Sequence, residues 1–158
     1  MNKPNRDRPA IIAFPPLLMA LCVGAGLIAA YFWQLRIIQD AALARTVGCI
    51  ALVIIAFALI FLGNRELVKH NEHPNPYEPT SAIVDSGIYG LTRNPLYISL
   101  LLIVLAVAIG ANDLWLLLSL IVLFLLLHFG VVIPEEKYLS GKFGARYDEY
   151  RRSVRRWI

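Results

Sequence analysis

Two adjacent carboxylates, Glu135 and Glu136, follow Pro134 directly after a long apolar run, and a guanidinium, Arg93, stands before Asn94 and Pro95 at the head of another. An acidic pair so placed accepts hydrogen bonds from an amino group or from sugar hydroxyls. Asn94 and Pro95 read as the N-cap and first position of a helix. The free N–H groups of that turn, with the Arg93 guanidinium beside them, favour an anion such as a carboxylate. Tyr89 and Tyr97 flank the turn, and a tyrosine ring can stack on a flat heterocycle or face a cation, an attraction of about 0.5 to 2 kcal/mol. His128 is the one histidine inside an apolar run; helical spacing puts it two turns before Glu135, on the same face. It either looks into the same site or hydrogen-bonds a neighbouring helix. Each group also has an ordinary use at a membrane boundary, Arg93 as a positive anchor, the tyrosines at the interface and the glutamates as a solvated helix end.

The elements that carry these residues belong in lipid. The chain has 158 residues, 58% hydrophobic and 16% charged, with a mean hydropathy of +0.62, outside the usual range of a soluble domain. A spanning helix needs about 20 predominantly apolar residues, and four runs approach that length: residues 11–35, 46–64, 94–112 and 114–133. The last two are divided only by Asp113, so Asn112 and Asp113 are expected at the tip of a tight helical hairpin. Thirteen of the fifteen basic residues, among them Lys3, Arg6, Arg8, Arg65, Lys69, Arg93 and the seven after residue 133, fall on one side of this arrangement. Only Arg36 and Arg45 fall on the other. The expected fold is all-α: a polytopic membrane protein of four transmembrane helices with both termini cytoplasmic, in the cytoplasmic membrane if the source is bacterial. Residues 11–35 are longer than an ordinary signal core and are read as a retained helix. The net charge of +4 suits an anionic inner leaflet and does not demand nucleic acid.

Residues 1–68 read as a two-helix membrane scaffold, with small residues at Ala20, Cys22, Gly24, Gly26 and Ala30, and again at Ala44 and Gly48, allowing close helix approach. Cys22 and Cys49 lie inside these runs as small buried hydrophobes. Residues 69–158 carry the chemistry. They open with a proline-rich cytoplasmic loop, too interrupted to be one helix and long enough to be functional or re-entrant. They close with a segment whose Leu139, Phe143, Tyr147, Tyr150, Val154 and Trp157 share one helical face. An amphipathic helix is expected there, at the membrane surface, packed over the loop, or both.

Gly87-x-Tyr89, Arg93-Asn94-Pro95-x-Tyr97, a hydrophobic hairpin, Glu135-Glu136-x-x-Leu139 and Phe143-Gly144-x-x-Tyr147-x-x-Tyr150 occur in that order. This set is similar to the isoprenylcysteine carboxyl methyltransferase family and its phospholipid methyltransferase relatives, over residues 71–157. The resemblance implies an integral-membrane S-adenosylmethionine-dependent methyltransferase whose cofactor pocket is walled by the last two spans, the loop before them and the C-terminal segment. It implies cofactor contacts from Val84, Tyr89, Arg93, Asn94, Pro95, Tyr97, Glu135 and Glu136, with residues 81–84 approaching through backbone groups. Arg93, His128 and Glu135 are the candidates for catalytic roles. Many relatives carry His where this chain has Asn94, and the eukaryotic carboxyl methyltransferases carry a substrate-binding Arg where it has Val131.

The acceptor implied is a lipid or lipid-like amphiphile, with transfer to oxygen, nitrogen or sulfur left open; an amine acceptor must also lose a proton, for which His128 or a glutamate is available. Two other classes share parts of the pattern: a nicotinamide-dependent membrane reductase of sterol reductase type, and a non-enzymatic adaptor whose basic C-terminal helix binds anionic lipid. His70 and His73 form an H-x-x-H spacing without a third ligand, so no metal is expected.

Overall fold

The computed structural model describes residues 7–39 and 41–158; Lys3 and Arg6, counted above with the inner cations, lie outside them. It is all-helical: α1 (Pro15–Phe32), α2 (Ala42–Lys69), a 3-10 turn at Gly87–Gly90, α3 (Pro95–Ala111), α4 (Leu114–Leu127), α5 (Ile133–Phe143) and α6 (Ala145–Ser153). α2 and α4 each pack on α3, and α1 packs on α4. Leu18 and Cys22 of α1, Val104 of α3, and Leu123 and Leu127 of α4 meet Val131 in the main core. Ile50, Ile54, Phe57 and Phe61 remain exposed on α2, at the spacing of one helical face, as a lipid-facing wall requires.

Three helical stretches are long and apolar enough to cross a membrane: Pro15–Phe32, Ala42–Lys69 and Leu114–Phe143. α3 is shorter at 17 residues, roughly 25 Å of helix against a hydrocarbon core of about 30 Å. Its ends show why the chain can turn so sharply there. Asn112 adopts a left-handed conformation at φ 54°, and the carboxylate of Asp113 caps α4 by accepting from the N–H of Trp115 at 2.8 Å and of Leu116 at 3.4 Å. The tip is tied to the α1–α2 connection. Asn112 Oδ1 accepts from the Ile38 N–H at 3.0 Å, its Nδ2 donates to the Ile38 carbonyl at 2.8 Å, and the Trp115 indole donates to the Trp33 carbonyl at 2.7 Å. Both hairpin connections therefore lie at one end of the four-helix body, and the proline-rich loop with α5 and α6 lies at the other.

The fourth helix does not stop near residue 133. It passes through a π turn at His128–Val132 and continues as α5 to Phe143. Pro134 has no N–H for the carbonyl of Gly130, four residues earlier. That carbonyl instead accepts from the Ile12 N–H at 3.0 Å, so the irregular segment before α1 supplies the missing donor. The continuation ends at Gly144, whose φ of 56° and ψ of −129° suit glycine alone. The single C-terminal helix expected from the sequence is thus two, α5 and α6. Their shared apolar face is packed over the loop, with Ile83, Tyr147, Tyr150 and Val154 buried together and Leu139 and Phe143 against them.

Of the small residues, Gly26 is in close contact, with a hypothetical Cβ meeting Leu116 Cα at 3.3 Å and Ser119 Cβ at 3.4 Å, whereas Gly24 and Gly48 have open space around them. The Ala44 and Gly48 pair does not serve helix contact. Gly110 and Gly63 do, against Cys49 and Leu96 respectively. Both cysteines are free thiols.

Candidate active site

Two buried glutamates fold the proline-rich loop back on α2. Glu66 accepts from the Ser86 hydroxyl at 2.7 Å and from Lys69 Nζ at 2.9 Å. Gly87 follows at φ 58°, where an added Cβ would stand 2.7 Å from Glu66 Oε2, so both the backbone conformation and the space demand glycine. Glu72 Oε1 accepts from the N–H groups of Ser81 at 2.8 Å and Ala82 at 2.7 Å, and also from the Ser81 hydroxyl. This places Ile83 and Val84 inside the protein. The Tyr150 hydroxyl then donates to the Tyr89 carbonyl at 2.8 Å, fastening α6 to the 3-10 turn.

The open-sided cavity beside it, about 490 Å³, is lined by Val84, Tyr89, Arg93, Asn94, Pro95, Tyr97 and Glu135, which is within the size range of a small-molecule site. Across it the Tyr97 hydroxyl donates to Glu135 Oε1 at 2.6 Å. Arg93 is almost wholly buried, its side chain 7% exposed, and its Nη2 lies 3.1 Å from Glu136 Oε1. Its Nη1 donates to the Tyr147 hydroxyl at 3.4 Å. Arg93 Nε is buried with no partner, a deficit of roughly 1–3 kcal/mol.

Three of the expected site residues sit differently from their sequence reading. Asn94 is the N-cap by position, but its side chain makes no cap bond; its Nδ2 donates to the Arg156 carbonyl at 2.7 Å. Glu136 faces away from the cavity and is held between Arg93 and Arg156, with Arg156 Nε 2.7 Å from Oε1 and Nη2 2.8 Å from Oε2. His128 does not reach the cavity lining. It accepts at Nδ1 from the Trp157 indole at 3.3 Å and stacks on Phe124 with ring centroids 5.7 Å apart. The reason is the π turn: an i→i+5 turn takes one residue more than an α turn, shifting phase by about 100° and undoing the two-turn register with Glu135.

The sequence reading missed other lining groups: Phe14 and Pro15 at the head of α1, Ile60, Asn64 and Leu67 on α2, and Glu72, Tyr138 and Tyr147. Glu72 looked like one more charge in a polar loop, and nothing local marks it. Asn64 stood at the polar end of an apolar run, a weak signal of a wall that becomes polar at site depth. Burial raises the phenols that face this region. Tyr147 is pushed up to about 12, by burial first and then by the charge of Glu136, against which Arg93 acts. Tyr89 is raised by burial and then by Glu135, and Tyr150 chiefly by burial. They remain protonated hydroxyls at neutral pH. Among the described residues no three His, Cys, Asp or Glu side chains gather as a metal site.

The sequence pattern of the phospholipid methyltransferase family matches residues 43–146. The chain belongs to that family. The match runs from the first turn of α2 into α6, so it takes in the loop, the hairpin and every residue of the cavity contributed by α2, α3 and α5. Membership brings methyltransferase activity in general and an integral-membrane setting, which agrees with the three long apolar helices. The chain is also similar to an uncharacterized protein of Haemophilus influenzae, 38% identical over 63 residues, which is 40% of this chain and 100% of that protein. No solved structure matches it.

Proposed function

We propose that this phospholipid methyltransferase family member binds S-adenosylmethionine in the cavity between the loop, α3 and α5, and methylates a lipid or lipid-like amphiphile there. The observation that carries the reading is a single cavity lined by a guanidinium, a carboxylate and two phenols, those of Arg93, Glu135, Tyr97 and Tyr89. A zwitterionic, aromatic cation fits that donor set: a carboxylate for Arg93, an amino group or ribose hydroxyl for Glu135, and tyrosine faces for adenine or the sulfonium. When bound, the cofactor supplies an electrophilic methyl group on a good leaving group, so the protein's share is positioning and exclusion of water.

Each residue has a task in that scheme. Tyr97 fixes Glu135 by holding one of its oxygens, leaving the other for the ligand. Glu136 holds Arg93. Val84, Asn94 and Pro95 shape the wall, Asn94 by fastening the C-terminal segment rather than by touching the ligand. A neutral acceptor amine would give up its proton to a carboxylate on the lining, Glu135 or Glu72, since His128 lies elsewhere. Phe14, Ile60, Leu67, Leu96 and Leu100 make the rest of the wall apolar, where a strongly hydrated acceptor would lose several kcal/mol on entry and an acyl chain would not.

In the same proposal α3 also spans the membrane and brings the number of spans to four, residues 1–68 form the scaffold with the C-terminal turns of α2 lending part of the wall, and the cavity end faces the cytoplasm. The cations Arg65, Lys69, Arg93, Lys137, Lys142 and Arg151 all gather at that end, as the inner leaflet favours. Calorimetry on detergent-purified protein tests the reading. Heat of binding with S-adenosylmethionine and none with NADPH supports it; binding of NADPH alone supports the reductase class, and binding of neither supports an adaptor.

A further inference from the structure

A second depression lies across α5 from the cavity. Glu135 and Glu136 are successive residues, about 100° apart around the helix, so Glu135 lines the cavity while Glu136 turns to the other side. There Ile133, Lys137, Ser140 and Gly141 of α5 line the depression with Glu136, and Arg151 and Arg156 close it from the C-terminal segment. Three cations thus meet one carboxylate, and that carboxylate is already engaged by two guanidiniums, Arg156 Nε at 2.7 Å and Arg93 Nη2 at 3.1 Å. Lys137 is exposed and has no ion-pair partner among the described residues. Arg151 has only a loose one, with Nη2 3.6 Å from Asp148 Oδ1. The depression therefore carries an excess of positive charge that the protein itself does not neutralise.

Its place in the fold says what neutralises it. α4 packs on α1 and α3, and on its uncovered side Val122, Leu125, Phe129 and Ile133 stay exposed, as surface in contact with acyl chains does. Ile133 belongs both to that apolar side and to the lining of the depression, so the two surfaces are continuous, with the cations just past the end of the apolar run. We propose that the depression is a binding site for an anionic phospholipid of the surrounding leaflet, its phosphate held by Lys137 and Arg151 and its acyl chains lying along the uncovered side of α4. Basic pockets at the membrane surface beside spanning helices recognise head groups of this kind. A phosphodiester supplies acceptor oxygens to the ammonium and the guanidinium, and Ile133 passes its chains to the lipid-facing wall. The site is separate from the proposed methyl-transfer cavity, on the opposite side of α5, and its lipid is bound without being methylated.

The test needs no cofactor, so it stands or falls apart from the methyltransferase reading. Detergent-purified protein is titrated with phosphatidylglycerol and with phosphatidylcholine of identical acyl chains, and bound lipid is counted by native mass spectrometry. Wild-type protein is expected to retain phosphatidylglycerol about fivefold or more over phosphatidylcholine, the worth of at least one cation at the surface. The double variant Lys137→Gln, Arg151→Gln is expected to bring the two lipids within about twofold of each other. A second double variant, Arg146→Gln, Arg152→Gln, removes as much charge from α6 at positions outside the depression and is expected to keep the preference. All four side chains are exposed, so both variants leave the packed core untouched. Glycerol phosphate in excess, which has the charge without the chains, is expected not to displace the bound phosphatidylglycerol. No preference in the wild-type protein, an equal loss in the two double variants, or displacement by glycerol phosphate would each overturn the inference.

Discussion

The Tyr97 hydroxyl donates to Glu135 Oε1 at 2.6 Å, bonding the first turn of α3 to the first turn of α5 across the cavity. A short bond to a carboxylate in a half-buried setting fixes the rotamer of Glu135 as well as its distance from the loop. Glu135→Gln preserves the shape and removes the charge. It is expected to weaken S-adenosylmethionine by about ten- to a hundredfold, the range for a charged hydrogen bond, and Tyr97→Phe by less, since it loosens the carboxylate without deleting it. Calorimetry with both variants checks the order, and a larger effect from Tyr97→Phe would contradict it.

His128 is packed between Phe124 and Trp157 and stands off the cavity lining. His128→Phe keeps the stacking and deletes the imidazole. Cofactor affinity and the rate of methyl transfer are expected to stay within about threefold of wild type, whatever the acceptor atom. A loss beyond a hundredfold in rate, with affinity intact, would return His128 to the role of base.

The raised phenols give stability a pH window. Tyr147 has an ordinary value of 10.0 and is pushed up to about 12 in the folded protein. A group raised in the folded state contributes stability fully below its unfolded value and loses it as pH climbs through the folded one. Thermal unfolding in detergent is therefore expected to be flat with respect to this group below pH 10. It should fall between about pH 10 and 12, by on the order of 2 kcal/mol for Tyr147 alone, which is only 2% exposed. Tyrosinate absorbance that rises fully by pH 10.5 in folded protein would contradict the burial.

Topology can be read with single cysteines on a Cys22→Ala, Cys49→Ala background. Asn112 is a poor probe because it is buried against Ile38, whereas Ala111 and Gln39 are exposed beside the two connections, and Arg152 is exposed at the other end. Ala111→Cys and Gln39→Cys are expected to react with an impermeant thiol reagent only from the face opposite the one that labels Arg152→Cys. Labelling of Ala111→Cys and Arg152→Cys from one face would remove α3 and α4 from the membrane as a spanning pair.

What the sequence discloses is local. Asn112 and Asp113 read as a hairpin tip because a polar pair between two apolar runs has one natural place. Arg93, Asn94 and Pro95 announce a helix start because proline's missing N–H is harmless there. The cavity lining expected from residues 84 to 97 and Glu135 comes from the family resemblance, which places those motif residues around one pocket. What stayed hidden depends on partners far along the chain. The donor missing at Pro134 is replaced by the Ile12 N–H; the π turn beside it moves His128 out of phase with Glu135. The break at Gly144 has a local signal, a glycine inside the helical pattern, and its φ of 56° realises it. Glu72 becomes a loop clamp only once Ser81 and Ala82 are folded against it. Glu136 and Asn94 keep their positions in the motif, yet their side chains turn to Arg156, a partner twenty residues from the one and 62 from the other.

Methyl transfer to a membrane amphiphile is read directly by the partition of label between phases. Purified protein in liposomes is incubated with S-adenosylmethionine labelled on the methyl group, a host lipid extract, prenylcysteine analogues and a panel of soluble acceptors. Label in the organic phase, reduced by about ten- to a hundredfold in Glu135→Gln at sub-saturating cofactor, is the predicted result. Label recovered only in soluble acceptors, or none transferred by protein that binds the cofactor, would contradict the account.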